Sequence, residues 1–145
     1  MKQLDFEVKF KEIENILKKG KSIVLCTSNG NKVAARAVFY CLFKGCIYFV
    51  TSKAYNKCKQ IEKNNNVALC IENIQIEGIA SILGHATLEI NNKIFEYIQK
   101  YCPEIYRYTN YKNSVLVEIK INNVQMWIKG REFINFENKT AYRIG

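Results

Sequence analysis

Residues 33 to 62, VAARAVFYCLFKGCIYFVTSKAYNKCKQIE, constrain the chain more than any other stretch. They read as a strand, a tight turn, a second strand and then a helix with a polar, basic first turn. Both strand segments are rich in Val, Phe, Tyr and Ile, the side chains that pack well on a pleated sheet. Lys44-Gly45 supplies the connection, because glycine tolerates the positive φ that a short hairpin turn demands. Thr51-Ser52 then offers hydroxyls that could cap a helix starting near Lys53. Free amide groups at a helix start, the positive end of its dipole, and Lys53 and Lys57 one turn apart make this junction a candidate anion site, with phosphate as the natural guest. The plainer reading is a capped helix with solvated lysines.

The remaining segments can be placed around this stretch. Phe6, Phe10, Ile13 and Leu17 recur at i, i+4, i+7 and i+11, with Asp5 before them and Gly20 after, as on a capped amphipathic helix. Ser22 to Thr27 reads as a buried strand, and Asn29-Gly30 is a hairpin signal leading into the strand from Val33. On that strand Ala34, Arg36, Val38 and Tyr40 share one face, and Val33, Ala35, Ala37 and Phe39 the other. Arg36 among apolar neighbours must find an acidic partner, a carbonyl or a ligand, unless its head reaches water at a sheet edge.

The helix from Lys53 is expected to end at Asn64-Asn65-Asn66 with Ala54, Cys58 and Ile61 on its buried stripe and Asn56, Lys57 and Gln60 off it. Val67 to Ile71 and Glu77 to Glu89 read as strands, with Gly78 and Gly84 as candidate bulges. Asn92 to Tyr101 is a helix stopped by Pro103, which can open a short turn through Tyr106. Ser114 to Trp127 supplies one or two strands interrupted near Asn122-Asn123, and Glu132 to Phe136 pairs with Thr140 to Arg143. Six or seven strands with short connections and about three peripheral helices describe a mainly β (α+β) fold, a small antiparallel barrel rather than a doubly wound sheet. The 145 residues form one domain, 1–145, with no linker or repeat.

The order of five short segments adds a resemblance. Ala35-Arg36-Ala37-Val38, then Gly45-Cys46-Ile47-Tyr48-Phe49-Val50-Thr51-Ser52, then Asn56-Lys57-Cys58-Lys59-Gln60-Ile61-Glu62, Asn66-Val67-Ala68-Leu69 and Gly84-His85-Ala86 together resemble the pyridoxamine 5'-phosphate oxidase-like family of FMN-binding split barrels, over about residues 20 to 128. The resemblance implies an antiparallel split β-barrel, FMN as cofactor, and a homodimer with the flavin at the subunit interface.

It also implies roles for particular positions. Arg36 would contact the FMN phosphate, and the peptide units of Ala37 and Val38 the isoalloxazine. Val50 and Thr51 match the pair that ends the following strand, and Lys57 matches the phosphate-binding lysine of the helix. Asn56 stands where the best-known members have arginine, which makes that contact shorter and neutral, and Gln75 is a further position that could reach the flavin. The lysine that true pyridoxamine phosphate oxidases carry five residues beyond the strand arginine is Cys41 here. Their closing segment of tryptophan and arginines has no counterpart, Tyr142-Arg143 being too short to replace it. Vitamin B6 oxidation itself is therefore not expected, and the implied function is a flavin-dependent oxidoreductase acting on a small molecule. No general acid or base stands out.

Other classes are weighed on composition. A net charge of +9 is spread from Lys2 to Arg143, and no nucleic-acid motif accompanies it, so a basic nucleic-acid-binding domain is the lesser alternative. A haem-handling or non-catalytic binding module on the same barrel is the other. Six cysteines without a CxxC pair suit a reducing compartment, and one histidine leaves little for a metal site. Neither a spanning apolar run nor a charged-then-apolar leader is visible, so the expected location is cytoplasmic. His85 reads as a structural residue, with proton donor or haem ligand as sharper options, and Trp127 as a half-buried strand aromatic that could border the flavin. Tyr101, Tyr106, Tyr108 and Tyr111 with Arg107 read as a cover over the barrel's open end, or as a substrate or base-stacking surface.

Overall fold

The computed structural model describes all residues, 1–145. Ten strands and four α-helices follow in the order β1 (Lys2–Leu4), α1 (Phe6–Lys19), β2 (Ser22–Asn29), β3 (Lys32–Phe39), β4 (Cys41–Phe43), β5 (Cys46–Ser52), α2 (Asn56–Lys63), β6 (Asn66–Ile71), β7 (Ile74–Ile82), α3 (Asn92–Tyr101), α4 (Pro103–Tyr106), β8 (Ser114–Trp127), β9 (Arg131–Asn135) and β10 (Thr140–Ile144). One antiparallel sheet runs β1-β10-β9-β8-β7-β6-β2-β3, and β5 joins it as a branch on β8 that carries β4. The expected split β-barrel is therefore present, with more strands than the sequence reading counted.

β8 is the trunk of the split. Its first half pairs with β5, from Ser52↔Ser114 to Cys46↔Lys120, and its second half pairs with β9, while β7 follows it along the opposite edge. The change of partner coincides with a bulge, because Glu77 pairs with Asn123 but Gly78 with Ile121, leaving Asn122 unpaired with β7. Asn122 instead gives its carbonyl to the amide of Phe136 at 2.8 Å. Gly78 is required there: a Cβ would lie 2.8 Å from the Lys120 carbonyl oxygen. The interruption expected near Asn122-Asn123 is this bulge within a single strand.

Alternation fills the interior. Ile23, Leu25, Ile47, Phe49, Leu69, Ile76, Ile119 and Met126 are each buried in one cluster, closed at one end by Ile13 and Leu17 of α1. Asp5 caps α1 by accepting from the Val8 amide at 3.1 Å. A second, smaller cluster lies outside the barrel, where Ile94 and Ile98 of α3, Cys102 at the junction and Ile105 of α4 cover Cys41, Tyr48 and Leu116. β5 is thus covered on both faces, which accounts for its nearly continuous apolar run.

Local boundaries depart from the sequence reading in three places. Residues 53–55 form a turn and α2 begins at Asn56, with Tyr55 as N-cap and no side-chain cap. Thr51 and Ser52 remain in β5, so they do not cap the helix, although Ser52 Oγ accepts from the Ala54 amide at 3.3 Å. Without the first three residues, Ala54 falls off the buried stripe, and Gln60 lies on the buried side with Cys58 and Ile61. The strand expected from Glu77 to Glu89 spans Ile74–Ile82, and residues 83–88 leave the sheet through Gly84 at φ 78°. The helix ends at Asn64, as its asparagines suggest, but with an extended backbone there (φ −143°) and not the left-handed conformation that asparagine tolerates.

Candidate functional site at the gap between two strands

Hydrogen bonding stops where the barrel would close. β3 pairs only with β2, and β5 only with β4 and β8, so β3 presents one unpaired edge. Backbone groups on such an edge need partners, and a ligand can supply them. A cavity of about 630 Å³ lies along this gap, lined by Ala37, Val38 and Phe39 of β3 and by Val50, Thr51 and Ser52 of β5. That volume falls within the range of about 300–1,000 Å³ usual for small-molecule sites. Tyr55 and Lys57 wall one end, and the segment from Glu104 to Ser114 walls the side away from the strands.

Two cations meet at the Lys57 end without a carboxylate. Neither Arg36 nor Lys57 takes part in any ion pair of the chain. Burial lowers the pKa of Lys57, and the nearby charge of Arg36 lowers it further. Lys57 Nζ sits 4.9 Å from the centre of the Tyr55 ring, over its electron-rich face. Arg36 is held by neutral oxygens: Nη1 donates to the Leu25 carbonyl at 3.2 Å and to Thr27 Oγ1 at 2.9 Å, and Nη2 donates to Gln60 Oε1 at 3.5 Å. The carbonyl partner anticipated for Arg36 is thus that of Leu25. Thr27 in turn donates its hydroxyl to Gln60 Oε1, and both residues are buried. Burial also lowers the Arg36 pKa. Positive charge is thereby fixed in place, partly desolvated and left unneutralised, beside the uncapped N-terminus of α2. An anion bound there would relieve the repulsion and accept from the free amides of the first helical turn.

Of the eight positions singled out from the sequence, Ala37, Val38, Val50, Thr51 and Lys57 line this one cavity. Arg36 stands behind its wall, beside Lys57. Asn56 is exposed at the first position of α2 and is not part of the lining, and Lys53 is exposed in the preceding turn, where its amide donates to the Asn113 carbonyl at 2.9 Å. Gln75 is on β7, in a separate depression with Cys26, Ala68, Glu77 and Gln125 on the outer face of the sheet. Within one chain it does not join the cavity.

Sequence reasoning missed Gln60 as the residue that orients Arg36. The available signal was its spacing, three residues after Lys57 and next to the buried Ile61, which places it on the sheet side of a helix starting at Asn56. The tyrosine cluster divides: Tyr108 and Tyr111 line the cavity with Lys112, whereas Tyr106 packs on Phe95 at 5.9 Å and Tyr101 on Tyr97 at 5.0 Å. His85 has both ring nitrogens engaged within the chain. Its Nδ1 accepts from the Thr87 amide at 3.2 Å and Nε2 donates to the Tyr111 carbonyl at 2.9 Å, which ties the loop after β7 to the cavity wall. Trp127 is half-exposed at the far end of β8, under the Arg131 guanidinium at 5.5 Å, and does not border the cavity.

The family model for pyridoxamine 5'-phosphate oxidase matches residues 10–128, most of the chain. The chain belongs to the pyridoxamine 5'-phosphate oxidase family. Solved structures repeat the fold at low identity. Campylobacter jejuni ChuZ superposes with a TM-score of 0.75 at 18% identity, over 98% of this chain and 64% of that one, so this chain spans under two thirds of ChuZ. The haem-storage protein HutZ of Vibrio cholerae gives 0.66 at 12% identity, over 80% and 92%. An FAD-binding protein of Mesorhizobium loti gives 0.60 at 14% identity, over 79% and 88%. No curated protein matches the sequence. In this family member, then, the barrel leaves a ligand-sized gap at β3 and β5 and sets two unpaired cations at one end of it.

Proposed function

We propose that this protein binds FMN in the cavity between β3 and β5 and works as a flavin-dependent oxidoreductase on a small molecule. The observation that carries the reading is the convergence of Arg36 and Lys57, both without a carboxylate, at the end of a cavity lined by a free strand edge. The donors suit the group: Lys57, the α2 amides and the Arg36 charge for a phosphate, and the exposed edge at Ala37 and Val38 for a flat heterocycle carrying its own donors and acceptors. Asn56 and Gln75, outside the cavity of one chain, are proposed to complete the site only if a second chain or a ligand brings them in.

Bound flavin would supply hydride transfer, the part of the chemistry that no side chain here can perform. The protein's own contribution is positional. Gln60 and Thr27 hold Arg36 in one orientation, so its charge needs no reorganisation when an anion arrives. Val50 and Thr51 set the floor, and Tyr108, Tyr111 and Lys112 leave an open side by which a second small molecule can approach. No residue is assigned as general acid or base.

A homodimer with the cavity at its interface follows from the same reading. The outward residues of β3 and β2 include Val33, Phe39 and Val24, which are 76%, 43% and 40% exposed and would be covered by a second copy. A cytoplasmic location is in keeping with six unpaired cysteines, and no helix is long and apolar enough to cross a membrane.

A haem-binding role on the same barrel has the likeness to HutZ in its favour. In this chain the single histidine has both ring nitrogens engaged, so FMN is the reading adopted. The absorbance spectrum of freshly purified protein tests the choice. Flavin bands, or micromolar binding of added FMN, are expected; a Soret band, or no response to FMN, would overturn the proposal.

A further inference from the structure

Cys41 and Cys46, the pair closest in sequence, are not the pair that the fold joins. In the hairpin Cys41 faces Tyr48 and Cys46 faces Phe43. Cys41 instead shares a cluster with Cys102, the residue between α3 and α4, and the two thiols shift each other's pKa. Both belong to the small cluster outside the barrel, 7% and 8% exposed. Each also borders a second cavity, of about 500 Å³, walled by Lys18, Lys19, Lys21, Tyr97 and Tyr101. The two thiols thus border one cavity from one cluster, shielded from large reagents and open to small ones.

We propose that Cys41 and Cys102 are a redox-modification site, closing to a reversible disulfide when a hydroperoxide enters this cavity. The neighbouring Cys41 holds the Cys102 pKa below its ordinary value, while Cys102 and burial push that of Cys41 up, so Cys102 is the thiolate of the pair and Cys41 the neutral thiol. The Cys102 thiolate attacks a peroxide oxygen. The O–O bond breaks, the departing oxygen leaves as water or alcohol with a proton, and Cys102 becomes a sulfenic acid. The Cys41 sulfur then attacks the Cys102 sulfur, the S–O bond breaks, and water leaves with the Cys41 proton. Two thiols have lost two electrons and two protons, and one hydroperoxide has been reduced. The new bond would pin the start of β4 to the α3–α4 junction, next to Glu104 and Ile105 of the cavity beside β3. None of this depends on flavin binding.

The test treats reduced full-length protein with a few-fold excess of hydrogen peroxide, alkylates the remaining thiols, and maps disulfides by mass spectrometry without reduction. A linked peptide joining residues 41 and 102, loss of two of the six thiols, and recovery with dithiothreitol are expected. Cross-links through Cys26 or Cys70 instead, or a Cys102 that stays alkylated or over-oxidises unlinked, would overturn the proposal. Cys41→Ser checks the order of attack: Cys102 should then stop at a sulfenic acid that dimedone labels, and no label would contradict the assigned roles. Should that variant fail to fold, the wild-type map decides alone.

Discussion

Arg36 and Lys57 are neighbouring cations with no carboxylate paired to either, and burial together with the charge of Arg36 holds the Lys57 pKa below its ordinary value. Folding brings them together across 20 intervening positions, from a strand paired with β2 and a helix packed against β2 and β7. Such an arrangement costs stability unless an anion arrives, and the first two predictions turn on that cost.

Lys57→Ala should weaken FMN binding by about one order of magnitude or more, since a charge-assisted bond contributes about 1.5–3 kcal/mol. Stability without ligand should be unchanged or slightly higher, within about 0.5 kcal/mol, because the substitution removes a repulsion and opens no core cavity. Lys59→Ala is the control: Lys59 is equally cationic and exposed on another side of α2. Equal losses in the two variants by fluorescence titration would show diffuse attraction rather than a phosphate site.

Riboflavin should bind more than tenfold less tightly than FMN. It offers the same ring to the β3 edge but no phosphate to Arg36 and Lys57. Comparable dissociation constants would mean that the anion site is not used by the cofactor.

A dimer mass is expected from light scattering at micromolar concentration, with the exposed apolar side chains of β2 and β3 at the contact. Val33→Lys, at the most exposed of these positions, should shift the mass toward the monomer. A monomer in wild type, with and without FMN, would remove the dimer from the proposal.

The acid limb of stability should depend on Glu132. Its carboxylate is fully buried, with Lys9 Nζ at 2.5 Å, Arg143 Nη2 at 2.7 Å and Nε at 2.8 Å, and it joins α1 to the last hairpin. Burial alone would raise its pKa, but the two cations outweigh burial and hold it below the ordinary 4.5. A depressed carboxylate stabilises the fold fully above the unfolded pKa, and the contribution is lost as pH falls through the folded value. For Lys9, burial would lower the pKa, but Glu12 and Glu132 hold it above 10.5, so its contribution persists below that pH and is lost as pH rises through the folded value. Glu132→Gln should therefore cost about 3 kcal/mol near neutral pH, as expected when one partner of a buried pair is removed. The gap between variant and wild type in denaturant titrations should narrow below about pH 4. A gap that stays constant into acid would show that lost packing, not charge, sets the cost.

Much of the architecture was legible in the chain itself, because it rests on local rules. Runs of apolar, β-branched and aromatic residues marked β2, β3, β5 and β6. Asp5 with the Phe6 to Leu17 stripe marked α1, and Gly30, Gly45 and Pro103 marked turns that few other residues could make. Five segments in a fixed order marked the family. Tertiary structure decided what depends on contacts between distant segments. Whether Thr51 and Ser52 cap a helix or finish a strand is settled by pairing with Ser114 and Val115, more than sixty positions away. Gln60 looked like a surface residue until β2 placed Thr27 against it and β3 brought in Arg36. Gln75, adjacent to no cavity residue in the sheet, could not be placed by pattern at all. The meeting of Cys41 with Cys102 is likewise set by how α3 packs outside β4 and β5. Local sequence dictates backbone conformation and which face is apolar. It does not dictate which unpaired charges and thiols meet, because that is decided by the register of the sheet and the helices laid against it.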